Sequence, residues 1–331
     1  MSGSAPGPGA IGAALSGAVV PGLSGAIAPG FRTFLWVVAG VVGAGIALQL
    51  LARVGSPAAR RRAARAGRYL LLVVLAVVVL FPIYITVVNS LLRPDQIANR
   101  PPTLFPTHPV WSTYATAWTQ GHLGRYLANS FIVTIVIVAG QLATSIAAAY
   151  AFAFLEFPFK KTLFVTFLAT MMVPLEVTFL TNVQTVVTFG WYNTYLALTV
   201  PFLATGFGAF LLRQAFLGLP RDLRDAAALD GLGHWRFMTR VAVPLARPSI
   251  AALGLFSFFG AFGQYLWPLI VTKDDRLRTV QIGLKYLSGT QINDINVTFA
   301  GTVLAALPLF VLLLVFQKQL VRGLTAGAVK G

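Results

Sequence analysis

The sequence predicts an all-α polytopic membrane protein, and three observations support this. The chain of 331 residues is 57% hydrophobic and only 10% charged, whereas about a quarter of the residues in soluble domains are charged. Its mean hydropathy is +0.78. Several uncharged runs reach the roughly 20 residues that a helix needs to cross a hydrocarbon core about 30 Å thick. We therefore expect a bundle of membrane-spanning helices embedded in a lipid bilayer.

The charge balance and the scarce chemical groups exclude several classes of function. The chain has 25 Lys and Arg against 9 Asp and Glu, which in a soluble protein would suggest nucleic-acid binding. Here the basic residues lie in loops between apolar runs, as is typical of membrane proteins, so we expect no nucleic-acid partner. There is no cysteine, which excludes disulfides and thiolate chemistry. The three histidines, His108, His122 and His234, are far apart in sequence, and no metal site is predicted.

The first 68 residues predict a tail and one span. Residues 1–31 carry no charge and are rich in Gly, Ala and Pro. They lack the basic start of a secretory signal, so we expect a loose tail. Residues 33–52 form the first candidate span. Six arginines follow between Arg53 and Arg68.

The later apolar runs predict six more spans and an orientation. The spans are 69–92, 126–155, 162–182, 194–212, 249–272 and 295–317. The loops on one side, together with the C-terminal segment, hold 17 of the basic residues and those on the other side hold 7. Because Lys and Arg are concentrated on the cytoplasmic side of membrane proteins, residues 213–248 and the C-terminal tail 321–331 are expected in the cytoplasm. Parity then places the N-terminus outside.

The cytoplasmic segment 225–248, "DAAALDGLGHWRFMTRVAVPLARP", is unusually polar for this chain. Pro220 suits the start of a helix, and Gly231 suits a left-handed cap at its end. A second helix is expected from about His234 to Ala242. Pro244 and Pro248 are expected to end that helix before the next span.

This helical pair predicts a docking surface. Leu223, Ala226, Ala227 and Asp230 share one helical face, and small residues there would let a partner approach closely. Trp235 and Phe237 would serve as anchors. Such a hairpin is suited to a groove on another protein. The alternative is a loop that folds back on its own membrane helices.

The same segment resembles the EAA loop of the permease subunits of bacterial ATP-binding-cassette (ABC) importers. The family pattern is Glu-Ala-Ala, three residues, Gly, nine residues, then Ile-x-Leu-Pro. This chain has Asp225, Ala226 and Ala227, then Gly231, and then Val241, Val243 and Pro244 at the same spacing. The resemblance covers most of residues 69–331 and is closest to the carbohydrate importers, including the second maltose permease subunit and the glycerol-3-phosphate permeases. The ending "QKQLVRGLTAGAVKG" is similar to the maltose-type tail, and "MVPLEV", "FLLRQAF" and "QYLWPLIV" are similar to the glycerol-3-phosphate branch.

The resemblance implies a six-helix permease core over 69–320, with 33–52 as an extra N-terminal transmembrane helix. It implies a translocation subunit, not an enzyme, in the bacterial inner membrane, importing a sugar or a polyol phosphate. The implied partners are a second permease subunit, a dimer of ATPase subunits and an extracytoplasmic solute-binding protein. Coupling helices within 220–243 would bind the ATPase through Asp225, Ala226, Ala227, Asp230, Gly231, Trp235, Phe237 and Pro244, and the tail would contact it through Gly323, Leu324, Thr325 and Lys330.

Energy must come from a partner, because no G-x-x-x-x-G-K-[ST] phosphate-binding loop occurs in the chain. We expect no cofactor on this chain and ATP with Mg²⁺ on the ATPase subunits. The main rival hypothesis is a secondary transporter driven by an ion gradient, which would want paired intramembrane acids or inverted repeats. A membrane-embedded enzyme is a second rival, and it would need convergent catalytic groups.

Polar residues within the spans suggest where a solute passes, since such groups should face a cavity or a partner. Glu176 and Asn182 are candidates in one span; the alternatives are that Glu176 lies near the outer, wetter end and that Asn182 makes an interhelical hydrogen bond. Gln264, Tyr265 and Trp267 are candidates in another, because sugars are bound by aromatic faces and amides; the alternative is an interfacial aromatic belt. We expect Asn129 and Gln141 to make interhelical hydrogen bonds. Arg213 could meet an anionic solute or reach the lipid headgroups.

Overall fold

The computed structural model describes residues 57–99, 102–220, 222–290 and 295–325, together with Gly40 and Gly43. Within these residues the chain is helical and has no strand, which confirms the all-α prediction. The chain divides into two compact units, one up to Val110 and one from Trp111 onward. The predicted tail 1–31 and the predicted span 33–52 lie outside the described residues, apart from the two glycines.

The described part of the first unit is dominated by one long helix. Helix α1, Pro57–Leu91, has 35 residues and is therefore about 50 Å long. It is followed by the short α2, Pro94–Ile97. The predicted span 69–92 is thus the C-terminal part of a longer helix, whose first turns carry the exposed Arg61, Arg62, Arg65 and Arg68. Pro82 lies inside α1 without ending it.

The described part of the second unit contains six α-helices before the polar segment 225–248. Helices α3 to α8 span Ser112–Thr119, Leu123–Phe154, Lys160–Thr170, Leu175–Thr188, Tyr195–Thr199 and Gly206–Leu217. The polar segment contains α9, Asp222–Leu229, and α10, His234–Phe237, followed by a π-helical turn over Met238–Ala242 and by α11, Val243–Leu245. The last four are α12, Arg247–Phe262; α13, Leu266–Val271; α14, Val280–Thr290; and α15, Ile295–Thr325.

Three of the described helices are long and apolar enough to cross a membrane unbroken, within Ala64–Leu91, Leu123–Phe154 and Ile295–Gln317. The number rises to five if each of two bent pairs is one span. Tyr195–Phe202 with Gly206–Leu217 bends by 42°, and His234–Leu245 with Arg247–Phe262 bends by 79°. The multi-pass prediction is therefore confirmed, although several spans are broken.

Several predicted boundaries differ from the structure, and two of the differences involve prolines. The predicted span 162–182 is two helices, α5 and α6. Pro174 separates them, because it adopts an extended backbone conformation (ψ 138°) and has no N–H to donate a helical hydrogen bond. The expectation that Pro244 ends the second cytoplasmic helix is wrong. Pro244 lies in the first turn of α11, where a missing N–H is tolerated, and the break falls at Ala246 (φ −86°, ψ 8°).

Helix α4 is the centre of the second unit and packs against both α8 and α12. Glycines permit this close packing. A Cβ built on Gly208 of α8 would overlap the Ser145 hydroxyl of α4, and one built on Gly140 of α4 would lie 2.5 Å from a methyl carbon of Leu203. Small residues at such crossings are how membrane helices approach closely. The bundle is thereby made compact around α4.

Candidate coupling surface and solute cavity

The end of α9 is a Schellman motif. The N–H of Leu232 donates to the carbonyl of Ala227 over 2.9 Å, and the N–H of Gly231 donates to that of Ala228 over 3.0 Å. Gly231 has a φ of +72°, the left-handed conformation that this motif requires and that glycine adopts without penalty. Leu232 and Ala227 lie in the same apolar cluster, as the motif's hydrophobic contact requires. The predicted helix end at Asp230-Gly231 is confirmed.

Helix α9 has one anchored side and a broad exposed side. Ala227 is 7% exposed, while Asp225, Ala226 and Asp230 are exposed. Leu223 and Leu229 are exposed as well, Leu229 at 90%. We call the exposed residues of α9, with Gly231 and Trp235, the coupling surface. The four residues predicted to share a docking face are thus divided, because Ala227 faces inward.

A cluster beneath α9 joins it to the bundle. This coupling base consists of residues from α4, α8, α9, α12 and the segment 237–246: Ala149, Tyr150, Leu212, Phe216, Ala227, Phe237, Met238, Ala242, Ala246 and Leu253. Aromatic rings interlock in it, with Phe237 and Phe154 perpendicular at 5.4 Å between centroids. The coupling surface is therefore fixed to three helices of the bundle, α4, α8 and α12.

The two predicted aromatic anchors have different positions. Trp235 is 72% exposed, but Phe237 is 4% exposed and packs inside the coupling base. Phe237 is thus not presented to a partner and instead holds α10 to α4 from within. Pro244 is partly buried in α11.

A hydrogen bond ties the same region to α4. The hydroxyl of Tyr150 lies 3.0 Å from Nδ1 of His234, and the two rings meet edge to face at 6.1 Å. Tyr150 is 5% exposed while His234 is exposed, so the bond joins a buried hydroxyl to a ring at the surface.

The predicted contacts of the C-terminal tail are only partly described. Gly323, Leu324 and Thr325 are the last residues of α15, and their side chains lie outside the described part of the chain. Lys330 lies outside it altogether.

Four of the five solute-pathway candidates line one cavity of about 440 Å³. It is lined by Asn182, Gln264, Tyr265 and Trp267, together with Phe179, Phe202 and Leu266. The cavity lies where the predicted span 249–272 is interrupted between α12 and α13. Glu176 lies in the first turn of α6, the helix that carries Asn182, and its side chain is not among those described.

Of two polar groups in the cavity wall, one has a hydrogen-bond partner and the other has none. The indole N–H of Trp267 donates to the carbonyl of Ala197 over 2.9 Å, so it is already used. The amide oxygen Oε1 of Gln264 is buried and has no hydrogen-bond partner. Leaving such an acceptor unpaired costs about 1–3 kcal/mol. The ring of Trp267 is held by Phe179 and Phe202, each nearly perpendicular to it at 5.6 Å.

Two other polar residues of the predicted spans, Asn129 and Gln141, make hydrogen bonds within the bundle. Asn129 donates to the carbonyls of Arg276 and Arg278 over 2.7 and 2.9 Å and accepts from the hydroxyl of Tyr195 over 2.8 Å. It therefore fixes the loop between α13 and α14 to α4. Gln141 donates to the carbonyl of Phe202 over 2.9 Å, as expected of a bond between helices.

Arg213 is also occupied within the bundle. Its Nε donates to the carbonyl of Phe152 over 3.2 Å, and its guanidinium lies 4.1 Å from the ring centroid of Phe164. It ties α8 to α4 and α5, so the proposal that it meets an anionic solute has no support here.

Comparison with known proteins decides the family. Residues 52–326 match the family described as the binding-protein-dependent transport system inner membrane component. The chain belongs to this family. It is an ABC importer permease, a multi-pass protein of the inner membrane.

Relatives of this permease carry a more specific description. The sn-glycerol-3-phosphate transport system permease protein UgpE of Agrobacterium fabrum is 36% identical over 276 residues, covering 80% of this chain and 97% of the relative. The protein of that name in Rhizobium meliloti is 35% identical and covers 77% and 94%, and the one in Yersinia pestis is 31% identical over the same shares. The crystal structure of a bacterial ABC transporter involved in the import of the acidic polysaccharide alginate contains a chain of the same fold, with a TM-score of 0.71, 20% identity, and 80% and 98% coverage.

Sequence reasoning missed several residues that support the coupling surface or line the cavity. Tyr150 and Phe216 lie 84 and 18 positions from His234, and no local pattern signals that they support the coupling surface. Phe179 could have been predicted from the sequence as a neighbour of Asn182, because it stands one helical turn earlier and so lies on the same helical face. The break at Gly263 to Tyr265 had a weak signal in the glycine alone.

Proposed function

We propose that this permease imports sn-glycerol 3-phosphate or a related polyol phosphate or sugar, driven by ATP hydrolysis on separate subunits. The substrate class is supported by the relatives, which are described as sn-glycerol-3-phosphate permeases and whose length this chain covers almost completely. The cavity agrees with a small hydroxylated solute, since it combines aromatic faces with two amides.

The observation that supports the coupling role is the way in which α9 is attached to the bundle. Its outer side is free for a partner, while Ala227 on its inner side belongs to a base shared with α4, α8 and α12. A push on the coupling surface would therefore move these three helices as a body. Rigid-body motion of packed helices is a general way to convert a distant event into alternating access.

The proposed partners follow from what the chain lacks and what its family name states. A dimer of ATP-binding-cassette ATPase subunits would hold ATP and Mg²⁺, because this sequence has no phosphate-binding loop. A second permease subunit would complete the pathway, and an extracytoplasmic solute-binding protein would deliver the solute. This chain would need no cofactor of its own.

The test is a matched pair of glycine variants in the full transporter. Gly231→Val should lower solute uptake and the ATPase activity stimulated by loaded binding protein, because a β-branched residue with φ of +72° costs at least the roughly 1–2 kcal/mol of the left-handed region. Gly231→Asn should retain most activity, since asparagine tolerates this conformation. Gly233→Ala is the control, because Gly233 has φ of −71° and a Cβ there meets nothing within 4 Å.

The measurement uses nanodiscs and proteoliposomes containing this chain, the ATPase and the second permease from neighbouring genes. Binding protein loaded with sn-glycerol 3-phosphate or with maltose is added, and ATP hydrolysis and uptake are recorded. If wild-type chain never co-purifies with an ATPase, or if uptake follows an ion gradient without ATP, the proposed function is wrong. Equal uptake by Gly231→Val and wild type would refute the coupling role of this segment.

A further inference from the structure

We infer that the cavity around Gln264 is a subsite for the hydroxyl-bearing carbon end of the solute and not for its phosphate. The inference rests on the proposed function, that is, on transport of a hydroxylated solute through this chain. It assigns to one residue, Gln264, the recognition of a hydroxyl group within the membrane.

The chemistry of the lining excludes an ionised group. None of the described residues that line the cavity is charged, and Arg213, the arginine considered for an anion, is held by Phe152 and Phe164 elsewhere in the bundle. Phosphate is bound in proteins by cations and by converging N–H donors. Here the indole N–H of Trp267 is already given to Ala197. A phosphate placed in this cavity would meet the side-chain amides and the hydroxyl of Tyr265 but no cation to balance its charge.

The unpaired group is a hydrogen-bond acceptor, so a ligand that satisfies it must supply a hydrogen-bond donor. The buried Oε1 of Gln264 has no partner, whereas almost all buried polar groups are paired. An ionised phosphate oxygen can only accept hydrogen bonds. A hydroxyl both donates and accepts, so it can satisfy Gln264 and still receive a bond from an amide such as that of Asn182.

The position and size of the cavity also suit a solute. It lies at the break between α12 and α13, where Gly263 to Tyr265 leave the helical path. Irregular backbone at membrane depth is tolerated where it is buried in protein or lines a cavity. The volume of about 440 Å³ is in the range of small-molecule sites, and the aromatic rings of Phe179, Phe202 and Trp267 offer apolar faces to C–H groups.

The experiment compares Gln264→Leu with Gln184→Leu in the complete transporter. Gln184 is an exposed residue of α6, it does not line the cavity, and it receives the same chemical change. With binding protein saturated by labelled sn-glycerol 3-phosphate, Gln264→Leu should lower uptake roughly ten-fold, as expected for loss of a hydrogen bond in a desolvated site. Gln184→Leu should keep both the uptake and the basal ATPase activity of wild type.

Thermal stability separates a ligand role from a structural one. Replacing a buried amide whose oxygen is unpaired by a leucine of similar size should leave the melting temperature unchanged or raise it. Reduced uptake with undiminished stability therefore supports the subsite. Reduced uptake with a lower melting temperature, or loss of the second permease on purification, would show that Gln264 holds the structure or the subunit contact and would overturn the inference.

A deoxy analogue tests the group that is recognised. Propane-1,2-diol 1-phosphate lacks one hydroxyl of sn-glycerol 3-phosphate. Wild-type transporter should take up the analogue more slowly per loaded binding protein, and Gln264→Leu should transport the two solutes equally. Undiminished uptake by Gln264→Leu, with wild type active and ATP-dependent, would refute the subsite while leaving the proposed function intact.

Discussion

At the scale of single residues, the bond between Tyr150 and His234 is the polar contact that fixes the coupling segment to the bundle. The Tyr150 ring is enclosed by Phe154 at 5.1 Å and by Phe216 and Phe237 at 6.5 and 6.4 Å between centroids. The tyrosine side of the bond therefore lies in an apolar setting, while the His234 ring is exposed. Because one partner lies on α4 and the other begins α10, the bond fixes where the second coupling helix starts.

Tyr150→Phe should destabilise the attachment of segment 222–245 to α4 without leaving a void in the coupling base. The ring is kept and only the hydroxyl bonded to His234 is lost, which should cost about 0.5–1.5 kcal/mol. Hydrogen exchange of the backbone amides in 222–245 should become up to roughly ten-fold faster, with less uptake per ATP hydrolysed. Tyr69→Phe is the control, since Tyr69 is 63% exposed on α1. Equal exchange in wild type and Tyr150→Phe would show that the bond does not hold the segment.

At the scale of helices, the crossing of α8 over α4 is set by a glycine. Besides the overlap with Ser145, a Cβ on Gly208 would lie 2.8 Å from Cγ2 of Thr205 and 3.0 Å from Cδ2 of Leu253. The site therefore has neighbours on three sides, including one from α12. Any larger residue must separate helices that also carry the coupling base.

Gly208→Ala should destabilise the protein by about 1–3 kcal/mol, the usual cost of overpacking a tight core. Its melting temperature in detergent should fall, and ATP-coupled uptake should fall with it. Gly260→Ala on α12 is the matched control, because a Cβ there meets nothing within 4 Å; alanine should stabilise that helix slightly. Identical melting temperatures for the two variants would mean that the α4–α8 crossing is looser than described.

The sequence predicted the elements that neighbouring residues determine, and it missed the features that depend on contacts between residues far apart in the chain. Gly231 ended α9 as expected because a left-handed cap needs glycine, and the uncharged run 126–155 became α4. The fate of Phe237 could not be predicted, since its burial depends on Tyr150 and Phe154, more than 80 positions away. Asn182 and Gln264 were named as separate candidates, and only the packing of α6 against α13 brings them to one cavity.

At the scale of the whole molecule, the coupling proposal depends on sidedness. The coupling surface is useful only if α9 faces the compartment that contains ATP, and its cytoplasmic placement follows from the distribution of 25 basic residues. The outer side is expected to carry the loop around Asp274, which Asn193 holds through bonds of 2.9 Å to the N–H groups of Lys273 and Asp274.

The chain has no cysteine, so single introduced cysteines report sidedness without background. In intact cells whose outer permeability barrier has been removed, an impermeant maleimide should label Asp274→Cys and not Leu229→Cys, which should react only after the membrane is opened. Both side chains are exposed, so access and not burial decides labelling. Ser16→Cys should react like Asp274→Cys, because an odd number of spans places the N-terminus outside if 33–52 crosses the membrane. If Ser16→Cys reacts only when Leu229→Cys does, after the membrane is opened, then 33–52 does not cross the membrane. If Leu229→Cys is labelled from outside, the topology is the reverse of the one predicted, and no cytoplasmic ATPase could reach the coupling surface.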